Sequence, residues 1–154
     1  MEGILDKAFF WKWINFFLSI FLLIFGVLIY LIKRTDTLLI FIWLTELNLD
    51  IYSNFLRYKF NNIEILNYNF VAYSLPGGLW MMSFVLFFNT VWKIEDSQKY
   101  KWMFFAAIPA MSSEIFQYFE IIAGTFDIYD LIAYFSGYFI VVIYVMASEY
   151  ILLR

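Results

Sequence analysis

The chain has 154 residues, of which 64% are apolar and 25% aromatic, with only 15% charged and a formal net charge of −3. Soluble domains run at roughly 45–50% apolar and about 25% charged, so this balance, with a mean hydropathy of +0.77, describes an integral membrane protein. Cysteine and histidine are both absent, which excludes disulfide frameworks, thiolate nucleophiles, zinc centres of the usual kind and Ser-His-Asp chemistry.

Acid–base work would have to fall to Asp, Glu, Lys or Tyr, and any metal would be a hard divalent cation on carboxylate and carbonyl oxygens. No other cofactor is required by the residues present. The small net charge and the lack of a basic cluster point away from nucleic acid. The expected fold class is all-α: a single polytopic transmembrane helical bundle over residues 1–154, with four or five spanning helices and short loops.

Residues 13–32 (WINFFLSIFLLIFGVLIYLI) are apolar except for Asn15 and Ser19. About twenty such residues cross a hydrocarbon core of about 30 Å. Lys33 and Arg34 stop the run, no small-residue cleavage site follows, and a retained helix is expected. A second helix is expected over residues 38–57, capped by Asp36 or Thr37. Glu46, Asp50, Asn54 and Arg57 form one stripe on it, so it either spans with the stripe facing inward or lies in the interface. Residues 59–74 read as a surface loop.

Pro76 suits a first helical turn, and the third helix is expected over residues 76–92. A hydrophilic hinge at 93–101 leads to a fourth over residues 102–123, kinked by Pro109 and closed by Gly124. The last helix is expected over residues 128–153. Lys/Arg counts give six basic residues inside and four outside for four spans or five. Both place 93–101 and the C-terminal Arg154 in the cytoplasm, and 76–78 and 124–130 outside.

The polar residues concentrate between Ser112 and Gly137. Glu114, Gln117 and Tyr118 share a helix face, which Glu120 continues. With the helix ending near Ala123, Glu114 is expected about 13 Å below the outer surface. A carboxylate at that depth costs at least about 2.5–3.5 kcal/mol unless it is paired, protonated or beside a wet cavity. Asp127 and Asp130 suit the start of the last helix as caps, and they reach the same side of the membrane. These five residues, Glu114, Gln117, Glu120, Asp127 and Asp130, are the candidate binding site. Glu46, Asp50 and Asn54 are the candidate lining of a pore or cavity.

The elements E-I-F-Q (Glu114–Gln117), G-T-F-D-I-Y-D-L (Gly124–Leu131) and Gly137, together with the stretch Leu75 to Trp80, resemble the VanZ-like membrane protein family. The chain departs from the family pattern in two places. It lacks a basic residue before the F-D element, and it has Tyr134 where Asn is frequent. The resemblance implies a small multi-pass protein of a bacterial cytoplasmic membrane, in a family named for an association with glycopeptide resistance and without a settled reaction.

The leading expectation is therefore an outward-facing acidic pocket that binds a divalent cation, or an amine- or sugar-bearing envelope component. An alternative is a homo-oligomeric cation channel, including a toxic depolarising effector, lined by Glu46, Asp50 and Asn54. A third is an enzyme acting on lipid-linked substrates through paired carboxylates, for which the chain holds no motif of a named reaction.

Overall fold

A computed structural model describes residues 2–36, 38–60, 62–93 and 96–152. These residues form six α-helices: α1 (Glu2–Lys33), α2 (Leu39–Glu46), α3 (Asp50–Phe60), α4 (Leu75–Val91), α5 (Gln98–Tyr118) and α6 (Ile128–Leu152). A 3₁₀ turn at Glu64–Asn67 and a π turn at Phe70–Ser74 lie before α4. There is no strand among the described residues. Three stretches are long and apolar enough to cross a membrane: Phe9–Lys33, Phe70–Val91 and Ile128–Leu152. α5 is long enough, at 21 residues, but less apolar.

α4 is the central helix, packed most extensively on α1, then on α6 and α5. Each long helix buries one stripe at helical spacing. On α1 it is Trp11, Asn15, Ser19 and Ile29; on α5, Lys99, Met103, Ala107 and Glu114; on α6, Ala133, Gly137, Val141, Val145 and Glu149. The remaining faces are apolar and exposed, as with Phe17, Phe21, Phe104 and Ile143. In water such surfaces would aggregate; against lipid tails they are matched.

Small residues set the closest crossing. On α6, Ala133 and Gly137 form a small-xxx-small pair against Gly78 of α4. A Cβ at Gly137 would lie 2.6 Å from the Gly78 carbonyl oxygen, so the backbones themselves are in contact. Polar bonds tie both helices to α1: Ser83 donates to the Ser19 carbonyl at 2.7 Å, and the Tyr144 hydroxyl donates to Asn15 Oδ1 at 2.9 Å.

The expected helix over 38–57 is two helices. Asn48 adopts φ +56, the Leu49 amide donates to the Leu44 carbonyl (2.7 Å) and the Asn48 amide to the Thr45 carbonyl (3.0 Å). This pattern is a Schellman C-cap with Asn in the left-handed position, and it ends α2. At 8 and 11 residues, α2 and α3 are about 12 and 16 Å long, too short to cross a core of about 30 Å.

Arg57 fixes α3 to the end of α1 by donating to the carbonyls of Leu31 (2.9 Å) and Arg34 (2.5 Å) and by pairing with Asp36. Asp36 is thereby a partner of Arg57 rather than the cap of α2, whose N-cap is Leu38; the Thr37 alternative lies outside the described residues. The described residues between Lys33 and Ser74 sit at one end of the bundle, with Lys33 bonded to Asn67 (2.9 Å) and Arg34 to the Tyr73 carbonyl (3.0 Å).

α4 begins at Leu75 with Pro76 in its first turn, as expected, and the π turn from Phe70 leads directly into it, the Leu75 amide donating to the Phe70 carbonyl. Pro76 has no N–H and its ring crowds the preceding turn, and the wider π turn accommodates it. Pro109 is carried inside α5 without ending it. α5 does end early, at Tyr118 rather than Ala123. Glu120, not Gly124, takes the left-handed position, with φ +57. The Ile121 amide bonds the Phe116 carbonyl at 2.8 Å and the Glu120 amide that of Gln117 at 3.0 Å.

Candidate functional site

The early end of α5 decides where the acids sit. Glu114 is one turn from the last residue of α5, about 6 Å along the axis, not the 13 Å expected from a longer helix. It is nevertheless buried, with 4% exposure, because it continues the inward stripe of Met103 and Ala107. Its Oε2 accepts the Asp127 amide N–H at 3.3 Å. The Asp127 carboxylate caps α6, accepting from the Tyr129 amide at 2.8 Å. Asp127 thus acts as the cap its position suggests, while its backbone reaches the buried acid.

Asp130 lies one turn into α6 and faces Glu114 together with Asp127. The Ser74 hydroxyl hydrogen-bonds its carboxyl, and its Oδ1 is buried without a protein partner. Arg34 approaches Asp130 and Tyr134 from the end of α1. The guanidinium is held between the rings of Tyr30 and Tyr73, at 5.4 and 5.0 Å from their centroids. Tyr134 reaches the acids because Gly77 makes room. A Cβ there would fall 2.7 Å from Tyr134 Cε1.

Three carboxylates and one guanidinium therefore meet where α1, α4, α5 and α6 converge. Asp127 and Ser74 also form part of the wall of an open recess of about 580 Å³ whose other lining residues include Tyr68, Asn69, Tyr73 and Tyr129. Phe70 and Tyr129 cross it edge to face at 6.5 Å. Such a site attracts positive charge and offers aromatic faces to it. Among the described residues, no group of three or more potential ligand side chains is placed to hold a metal ion.

Of the sequence-predicted residues, Glu114, Asp127 and Asp130 come together. Gln117 packs its amide over Gly124, where a Cβ would be 2.5 Å from Nε2, so it braces the loop between α5 and α6. Glu120 is exposed and, lying past the end of α5, does not continue the Glu114–Gln117 face. Glu46, Asp50 and Asn54 are exposed on α2 and α3 and share an open recess of about 440 Å³ with Asp36 and Thr45, outside the packed bundle.

Arg34, Ser74 and Tyr134 were not anticipated, since their role depends on helices brought together from distant parts of the chain. A second polar centre also went unread. At the opposite end of α5 and α6, Lys99 Nζ lies 2.5 Å from Glu149 Oε1, and the Tyr100 hydroxyl donates to Glu149 Oε2 at 2.8 Å. Lys99 is 2% and Glu149 8% exposed. Glu149 gives a signal in the sequence, as the sole charge between Leu131 and Leu152.

No family model, no curated protein and no solved structure matches the chain. The fold and site thus define it as a helical protein with, among the described residues, three helices long and apolar enough to cross a membrane and an acidic centre around the buried Glu114 at one end of its bundle.

Proposed function

We propose that the chain is a four-span protein of a bacterial cytoplasmic membrane, and that its acidic centre binds a positively charged amine borne by an envelope component at the outer surface. α5 is the fourth span. Its 21 residues cover about 31 Å, Trp102, Phe104, Phe105, Ile108, Ile115 and Phe116 are exposed, and its charged Lys99 and Glu114 lie in the buried stripe. The end carrying Lys12, Lys93, Lys99 and Lys101 is cytoplasmic, together with the C-terminal end of α6. The basic residues at the other end are engaged with protein groups instead: Lys33 with Asn67, Arg34 with Tyr73 and Arg57 with α1.

The observation that carries the reading is Glu114, buried yet facing two further carboxylates beside a recess rich in tyrosine. Burying like charges together is costly without a compensating cation, and Arg34 supplies one charge against three. An ammonium group in the recess would balance the carboxylates and stack on the rings. The likeness of Glu114–Gln117 and Gly124–Leu131 to the VanZ-like pattern supports an envelope role; Arg34 offers a base where the F-D element lacks one.

The test uses purified full chain and thermal-shift titrations with ethanolamine, N-acetylglucosamine and Mg²⁺ as separate probes. A saturable shift with ethanolamine, lost in Glu114→Gln and Asp130→Asn, is expected. A shift with the sugar or Mg²⁺ alone would replace the amine. No shift with any probe, or one that survives both substitutions, refutes the site.

A cation channel is favoured by one observation, the recess shared by Glu46, Asp50 and Asn54. Since α2 and α3 are too short to cross, these residues would line the vestibule of an oligomer. Conductance of reconstituted protein tests that reading, and a monodisperse monomer without currents excludes it.

A further inference from the structure

One side of α1 carries Phe9, Lys12, Trp13, Phe16, Ile20 and Leu23 at spacings of three and four residues, so they lie along a single face. Against α4 this face forms two recesses that meet at Phe16. The first, of about 240 Å³, is lined by Phe9, Lys12, Trp13, Phe16 and Thr90. The second, of about 280 Å³, continues along Phe16, Ile20, Leu23, Phe84 and Phe87, over the buried Ser19–Ser83 bond. The result is a groove on the exposed surface of α1 and α4, apolar along its length and basic at one end.

The basic end holds two lysines. Lys12, in the wall of the first recess, lies close enough to Lys93 and Lys99 for their charges to repel. Lys99 is neutralised by Glu149, whereas neither the Lys12 nor the Lys93 ammonium has a hydrogen-bonded or ion-paired partner among the described residues. Two like charges side by side repel, and an anion between them would relieve both. Trp13, together with the stacked Trp92 and Trp102 (5.9 Å), marks this end as headgroup level, where indoles collect.

The dimensions select the occupant. From Lys12 to Leu23 the helix advances about 16 Å, close to one leaflet, half of a hydrocarbon core of about 30 Å. We infer that the α1–α4 groove binds one anionic phospholipid, with its phosphate between Lys12 and Lys93 and an acyl chain along Phe16, Ile20 and Phe87. The site is separate from the acidic centre, lies at the opposite end of the bundle and does not depend on which ligand that centre takes.

The test is native mass spectrometry of the full chain released from vesicles of equal parts phosphatidylglycerol and phosphatidylcholine with matched acyl chains. The wild type is expected to retain phosphatidylglycerol preferentially. Each lysine near a lipid headgroup contributes about a fivefold preference, so Lys12→Gln/Lys93→Gln should reduce it by roughly 25-fold. Lys59→Gln at the other end should leave it unchanged, and Ile20→Trp, which fills the groove at an exposed position, should reduce retention of both lipids. Three outcomes overturn the site: no preference in the wild type, preference that survives the double substitution, or equal loss in Lys59→Gln, which would mean a diffuse basic surface. Circular dichroism confirms folding of each variant.

Discussion

Replacing Lys99 by Met tests the second polar centre, at the end of α5 and α6 away from Glu114. The 2.5 Å contact joins two residues that are 2% and 8% exposed, so removal of the cation leaves the Glu149 carboxylate with the Tyr100 hydroxyl as its one hydrogen-bond partner among the described residues. Breaking a buried pair from one side costs about 3–5 kcal/mol, because desolvation of the remaining charge is no longer offset. Replacing both partners removes that desolvation cost as well. Since Met103, Ala107 and Val145 already line the same stripes, Lys99→Met/Glu149→Leu would extend an apolar core that is already there. The double variant is therefore expected to match the wild type or exceed it by about 1–4 kcal/mol. Reversible unfolding in mixed detergent micelles, applied to both single variants and the double, closes the cycle. If the double variant is as unstable as Lys99→Met, the pair holds the bundle by attraction, and burial as the source of the cost is refuted.

Two further substitutions probe the backbone. Gly137→Ala places a Cβ 2.6 Å from the Gly78 carbonyl oxygen, which cannot rotate away; overpacking of about 1–3 kcal/mol should outweigh a helix-propensity gain of about 1 kcal/mol, seen as a lower unfolding midpoint. Glu120→Gly removes the left-handed penalty at φ +57 and should stabilise the chain by about 1 kcal/mol in the same assay, unless the carboxylate makes up for the strain.

The long apolar helices were legible because crossing a hydrocarbon core demands continuous hydropathy, and residues 13–32, 76–92 and 128–153 have it. The break at Asn48 was hidden by a stronger pattern: Glu46, Asp50 and Asn54 repeat at helical spacing, although they lie on two helices. Its local signal was an asparagine between two leucines, the chemistry of a C-cap whose following apolar residue packs back on the helix. Gly124 misplaced the end of α5 because glycine is the favoured left-handed residue, yet the chain uses Glu120. That error put Glu114 too deep while leaving its burial correct. Glu114, Asp127 and Asp130 could be grouped from sequence because one short loop joins their helices. Arg34, Ser74 and Tyr134 could not, as they reach the site only through the packing of α1 and α4 on α6.

The proposed four-span topology puts the residues between Lys33 and Ser74 on the same side as the loop between α5 and α6. The absence of cysteine makes this directly measurable. Asn48→Cys, Thr125→Cys and Ser97→Cys each place a single thiol at an exposed position for a membrane-impermeant maleimide on intact bacterial cells. The account predicts labelling at 48 and 125 without permeabilisation and at 97 only after it. Labelling of 48 and 125 from opposite sides, or of 97 and 125 from the same side, would contradict it.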